Sequence, residues 1–319
     1  MNRTSKYRRI VIKAGSNVLT RDDGRPDTTR ISSLVDQIAR LHRAGIDAAT
    51  LEARELVAFA AGKTRQELLR DGRLYVSEEV EQRATALMRR HLAGEPLAYL
   101  IGEWSFCGMD LDIDENVLIP RTDTEVLAEQ AIDFIKTLPE PRVLDLCAGS
   151  GCVGLAVAKF CPGSHVVLGE LMEGALRVCR RNIRRSGLTS QVMPWQVDAL
   201  DGPPPRFGEF DCIVSNPPYI PDGDIAGLDV SVRDYEPLTA LKGGADGLDF
   251  YRAISEKWRA ALHPGSRLFF EVGIGQADDV LRIMRAQGFG DIEIVPDTAG
   301  IPRVVYGTLY DSVFDNGES

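Results

Sequence analysis

Four consecutive residues, Asn216, Pro217, Pro218 and Tyr219, follow the apolar stretch "FDCIVS" at residues 210–215. That stretch predicts a buried strand, and two prolines, which lack a backbone donor, end it. A rigid turn accounts for the prolines. It does not account for a side-chain amide and an aromatic ring beside groups that can only accept. Together the four form a set able to grip a planar group carrying N–H donors.

A second set lies earlier. "VLDLCAGSGCVGLAVA" at residues 143–158 reads as a buried strand, a tight turn and a helix. Ala148, Gly149, Ser150 and Gly151 are small enough to let a ligand approach the backbone. Asp145 stands near the strand end. Glu170 closes the next strand-like run about 20 residues on, where nucleotide-binding α/β folds place an acid for ribose hydroxyls. The third glycine of G-x-G-x-x-G is missing, which favours a small nucleoside over a dinucleotide. Asp198, in "WQVDALDG", is either an acceptor for an adenine amino group or an ordinary turn carboxylate.

Both sets need one sheet edge to bring them together. From about residue 121 strand-like and helix-like runs alternate, among them "RVLDLCA", "CVGLAVAKF", "SHVVLGE", "GALRVCRRNIRRSG", "SRLFFEVG" and "ADDVLRIMRAQG". That order predicts a mostly parallel α/β sheet with helices on both faces. Residues 103–120 alternate like a β-hairpin linker. Residues 46–102 have helical spacing throughout, with Ser77 opening one helix. They hold no catalytic cluster and predict a small domain that either holds a partner or serves as a structural cap. Residues 1–45 are a separate segment.

Bulk properties narrow the function. A net charge of −10 argues against general affinity for nucleic acid backbones, which needs a basic face. Six cysteines without a CxxC pair, and four scattered histidines, predict free thiols and no metal site. No signal peptide or membrane-length apolar run is visible, and a cytoplasmic protein is expected.

"DLCAGSG", the acid at Glu170, "VSNPPYI", "VLIPRTDTEVL" at residues 117–127 and "YEPLTALKGGADGLDFYRAI" at residues 235–254 resemble the peptide chain release factor N5-glutamine methyltransferases. These are class I S-adenosylmethionine enzymes with a Rossmann-like catalytic domain behind a small helical one. The resemblance runs from about residue 46 to about residue 310. "NPPY" alone is shared with enzymes that methylate amino groups of DNA, and the stretch at 235–254 favours the release factor family.

The resemblance implies a substrate-recognition domain at 46–102 and a catalytic domain at 121–319. S-adenosylmethionine would lie on Asp145, Cys147, Ala148, Gly149, Ser150 and Gly151. Glu170, where the family more often has Asp, would hold the ribose; Asp198 and Ala199 would flank the adenine, and Asn216 would touch the cofactor too. Asn216, Pro217, Pro218 and Tyr219 would bind the glutamine of the release factor GGQ motif, with Asn216, Pro217 and Tyr219 catalytic. The implied partner is a release factor, with no direct nucleic acid or membrane binding.

The chemistry explains the turn. An amide nitrogen is a poor nucleophile because its lone pair is delocalised into the carbonyl. The Asn216 side-chain oxygen and the Pro217 carbonyl, aimed at the two amide hydrogens, would orient the nitrogen and localise that pair. Tyr219 would stack on the flat amide. Positioning of this kind lowers a barrier by several kcal/mol, up to roughly 7–11 in ideal cases. No strong base is needed, because the proton becomes acidic once the nitrogen carries the methyl.

Residues 7–45 resemble instead the first strand and helix of glutamate 5-kinase, with Lys13, Gly15 and Ser16 on its phosphate turn. The rest of that kinase is absent, so a fused or mis-joined start is expected, with helix 31–43 replacing the usual first helix. Two other functions compete: an N6-adenine or N4-cytosine nucleic acid methyltransferase, which would need a basic face, and a non-catalytic module, which would have no use for an intact Asn216–Tyr219 set.

Overall fold

The computed structural model describes residue 40 and residues 49–64, 66–67 and 78–310. Lys13, Gly15, Ser16 and Ser77 lie outside the described residues. The chain divides after Ile101 into two compact units.

The described residues of the first unit are mainly helical. Its described helices are α1 (Ala49–Ala60), α2 (Glu78–Leu92) and α3 (Leu97–Ile101). In α1 the buried positions Ala49, Ala53, Leu56, Val57 and Ala60 follow helical spacing on one face, and Ala58 is buried beside them. His91, near the end of α2, joins the two longer helices. Its Nε2 lies 3.1 Å from a Glu52 carboxylate oxygen and its Nδ1 lies 2.9 Å from the Glu95 carbonyl. The Glu52 carboxylate holds the imidazole pKa above its usual value.

The second unit opens with a hairpin of β1 (Glu103–Phe106) and β2 (Met109–Asp112). This is shorter than the expected span of 103–120. Asp114 Oδ1 accepts from the Asn116 backbone N–H at 3.0 Å, and this local turn replaces strand pairing. Next come α4 (Thr124–Ile135), β3 (Arg142–Leu146), α5 (Cys152–Phe160), β4 (His165–Glu170), α6 (Glu173–Arg185), β5 (Val192–Gln196) and β6 (Phe210–Ser215). The unit closes with α7 (Asp249–Lys257), β7 (Leu262–Glu271), α8 (Ala277–Ala286), β8 (Phe289–Pro296) and β9 (Pro302–Leu309).

The main sheet has the order β5-β4-β3-β6-β7-β9-β8. The first five strands run parallel, and β9 is antiparallel to both its neighbours. The β8–β9 pair is the one sheet feature the sequence reading did not anticipate. Right-handed crossovers put α5 and α6 on one face and α7 and α8 on the other. Strand order reverses between β3 and β6, which makes the carboxyl ends of these two strands the expected ligand crevice. Pro194 lies in β5 at the sheet edge, where a missing N–H costs least. Among the described residues no helix is long and apolar enough to cross a membrane, and no group of three acids, histidines or cysteines could hold a metal ion.

The hairpin belongs to the second compact unit and is tied to α6. Arg185 pairs with Glu103 and Asp112, and Arg181 with Asp114. Such exposed pairs contribute roughly 0–1 kcal/mol each. Buried Asn182 does more. Its Oδ1 takes the Asp112 N–H at 2.6 Å, and its Nδ2 donates to the carbonyls of Asp112 and Ser150 at 3.1 and 2.9 Å. Asn182→Ala strands three backbone groups, the half-buried N–H and carbonyl of Asp112 and the buried carbonyl of Ser150. The expected cost is about 2–4 kcal/mol, read as a lower urea midpoint with an unchanged slope.

Candidate active site

The parallel register sets Leu146 level with both Gly169 and Ser215. Three chain reversals therefore leave the sheet at one height: residues 147–151 after β3, 170–172 after β4 and 216–219 after β6. They surround a single cavity whose lining includes Cys147, Ala148, Gly149, Ser150, Glu170, Asp198, Ala199 and Asn216.

The first reversal is built by carboxylates that accept backbone N–H groups. Asp145 is 2% exposed, and its Oδ2 takes the Gly154 N–H in the first turn of α5 at 2.8 Å. Burial pushes its carboxyl up to about 7, and the charge of Glu170 adds to the effect. Asp145 therefore anchors the helix while also lining the cavity. Glu170 uses both oxygens: Oε2 takes the Gly149 N–H and Oε1 the Met172 N–H, each at 2.9 Å. The extra methylene relative to Asp lets one side chain span both loops. Gly149 has φ +55°, a conformation that favours glycine, and a Cβ placed there meets no atom of the protein.

Cys147 also has positive φ, 60°. Its thiol is pushed well up by burial and by Glu170, so it lines the cavity as an inert group. Asp198 fulfils the turn reading, since its Oδ1 takes the Leu200 N–H at 2.8 Å, and it also lines the cavity. Ala199 is fixed from behind: the N–H of fully buried Trp258 donates to its carbonyl at 2.8 Å.

The 216–219 turn is more divided than its sequence suggests. Asn216 and Pro218 line the cavity, but Pro217 and Tyr219 are not among the lining residues. Tyr219 is held behind the turn instead. Its hydroxyl lies 3.5 Å from Glu271 Oε1, and its carbonyl accepts from Gln276 Nε2 at 3.0 Å. Burial raises the phenol to about 12, and it stays neutral. The expected stacking face is thus turned into the packing against the core.

Several residues at this end had no role in the sequence reading. Arg121, Thr124, Pro237, Thr239, Ala240 and Phe250 line the cavity beside Asn216. They come from "VLIPRTDTEVL" and the stretch at 235–254, which marked the family without pointing to positions. Arg121 pairs with Glu236 at 2.5 Å and donates to the Ile119 carbonyl at 3.0 Å, which ties the two stretches together. Asn116, Val117 and Leu118, read as the end of a hairpin, also line the cavity.

Two family models match: the PrmC N-terminal domain over residues 34–102 and the methyltransferase small domain over residues 106–229. The first begins inside the segment read as kinase-like. The release factor glutamine methyltransferase of Geobacter sulfurreducens is 40% identical over 266 residues, covering 83% of this chain and 91% of that one. Its counterpart in Clostridium acetobutylicum is 39% identical over 210 residues, or 66% of this chain and 74% of that one. A third, from Gloeobacter violaceus, is 38% identical over 272 residues, 84% and 92% of the two chains.

The open space above Gly149 sets a test of the nucleoside end. Gly149→Val puts a branched side chain into that space at a φ it tolerates badly. Calorimetric binding of S-adenosylmethionine is expected to disappear while the circular dichroism spectrum stays that of the folded chain.

Proposed function

The chain belongs to the release factor glutamine methyltransferases, and from that premise we propose that it moves a methyl group from S-adenosylmethionine to the side-chain amide nitrogen of a glutamine in a peptide chain release factor. The observation that carries this reading is the shared cavity. It has the Gly149 turn and Glu170 at one end and Asn216 at the other, at the switch point of a parallel sheet.

The residues present suit that cofactor. Ser150 Oγ is buried in the cavity wall with no hydrogen-bond partner among the described residues. Glu170 keeps acceptor capacity beyond its two backbone bonds. Leu171, Met172, Val197 and Ala199 provide apolar contact for a flat base. When bound, the cofactor supplies a methyl group already activated as a sulfonium. Asp145, Gly149, Ser150, Glu170 and Asp198 hold and orient it in this proposal.

At the other end, Asn216 Nδ2 lies 3.4 Å from Thr124 Oγ1, which leaves Oδ1 for the substrate amide. The Pro217 carbonyl is the proposed acceptor for the second hydrogen. Tyr219 supports the turn, and the flat contact falls to Pro218 and Phe250. The helical unit, residues 46–102, is proposed to recognise the release factor, since a protein substrate needs more surface than one side-chain cavity. The cysteines are free thiols, in keeping with a reducing cytoplasm as the proposed location.

Two measurements test this. Incubated with methyl-labelled S-adenosylmethionine and either an unmodified release factor or DNA, the chain is expected to label the release factor alone. Label in DNA would favour the nucleic acid reading. Asn216→Ala is expected to lower turnover about 10²-fold or more, as for loss of one preorganised polar group. Its affinity for S-adenosylmethionine should stay within about tenfold, roughly 1.4 kcal/mol.

A further inference from the structure

Gln276 occupies the N-cap position of α8. Ser, Thr, Asp and Asn are favoured there, because a short side chain can take up a free helix N–H. The Gln276 side chain makes no such bond. Its amide joins three other segments instead. Nε2 donates to the carbonyl of Tyr219, the last residue of the 216–219 turn, at 3.0 Å, and to the carbonyl of Gly247, just ahead of α7, at 3.3 Å. Oε1 accepts the N–H of Gly273, in the loop after β7, at 3.0 Å. Two of these partners are glycines for want of room: a Cβ on Gly247 would stand 2.8 Å from Nε2, and one on Gly273 would stand 2.7 Å from Oε1. The amide has one orientation here, since an N–H can only donate and the two carbonyls can only accept.

We propose that Gln276 is a positioning residue for the methyl transfer: its NH2 group clasps the 216–219 turn to the segment leading into α7, and so sets the width of the slot between Asn216 and Phe250 that receives the substrate amide. The inference rests on the reading that Asn216 receives that amide. Asn216, Pro218 and Phe250 all line the cavity. The Tyr219 carbonyl belongs to the residue after Pro218, and Gly247 lies three residues before Phe250, so one NH2 group holds both walls close to the points where they meet the substrate. A flat amide must present its nitrogen in line with the methyl group, and a displacement of about 1 Å costs about 10²-fold in rate. Replacing the NH2 by an oxygen would set an acceptor against two carbonyls and push the walls apart.

The full-length chain is assayed in single turnover with labelled S-adenosylmethionine and unmodified release factor, from about pH 8.5 down to about pH 6. Gln276→Glu keeps the size and, when ionised, loses the donor. At the upper pH it is expected to be about tenfold to a hundredfold slower than wild type, with the cofactor Kd by calorimetry within about threefold. A protonated carboxyl regains one O–H donor, so the rate of this variant relative to wild type should rise about fivefold or more as the pH falls. Dividing by the wild-type rate at each pH removes the titration of Asp145 and Glu271, which burial raises to about 7. Gln276→Met keeps the length without any donor and should be slow by the same ratio at every pH. A wild-type rate in either variant, a flat ratio for Gln276→Glu, or a loss of cofactor affinity that matches the loss of rate would overturn the proposal. Asn216→Ala is run beside them. If it is slow while both Gln276 variants are fast, this inference alone fails; if it is as fast as wild type, the reading of the site fails with it.

Discussion

The register that holds Leu146 level with Gly169 and Ser215 is the constraint on which the rest of the site depends. Parallel strands cannot be joined by tight hairpins, so each must be followed by a reversal into a crossover. When three strands end at one height, their reversals share one plane. A cofactor turn, an acid and an acceptor turn, separated by tens of residues in the chain, then open onto one cavity. Slipping β6 by one residue would exchange its two faces and carry Asn216 to the wrong side of the sheet.

Within that plane one device recurs. Reversals leave backbone N–H groups unpaired, and short acidic side chains take them up. Asp145 serves Gly154, Glu170 serves Gly149 and Met172, Asp198 serves Leu200, and Asp297 serves Ala299 and Ile301. The acids that line the cavity are turn-builders first. Their second task, facing a ligand, uses the lone pairs left over. Loss of such an acid would therefore move the loop as well as remove a contact.

What the sequence disclosed follows from the range of the interactions involved. Strand and helix patterning are local, and α5, for example, runs over Cys152–Phe160 just as "CVGLAVAKF" suggests. Glu170 and Gly149 were legible because the strand–turn–helix unit fixes their separation. Thr124 was not, since its partner Asn216 is 92 residues away and neither flanking stretch records the pairing. The direction of Tyr219 was not legible either. An aromatic ring after two prolines suits a ligand face and a packing role equally well, and only Glu271 and Gln276, from the far side of β7, decide between them. The β8–β9 pair was not legible because β8 fully buries Phe289 alone, its other positions being half-buried or exposed, and it carries a register shift between Gly290 and Glu293.

The same geometry bears on why "NPPY" alone does not single out one family while the stretch at 235–254 favours one. The four-residue turn supplies acceptors that any amino-group substrate could use. Its support comes from elsewhere. Ile220 and Gly243 exchange backbone bonds with the chain segments facing them, Ile220 N–H to Leu241 at 3.0 Å and Gly243 N–H to Ile220 at 2.8 Å. Gly247 passes so close that a Cβ there would stand 2.3 Å from the Tyr219 carbonyl oxygen. Gln276 then binds the carbonyls of both Tyr219 and Gly247, at 3.0 and 3.3 Å, and accepts from the Gly273 N–H at 3.0 Å. The turn and the glycine-bearing stretch are one packed object, in which the second part also supplies Thr239, Ala240 and Phe250 to the cavity wall. In the proposed function chemistry resides in the turn, and the shape of what reaches it resides in the segment that the turn leans on.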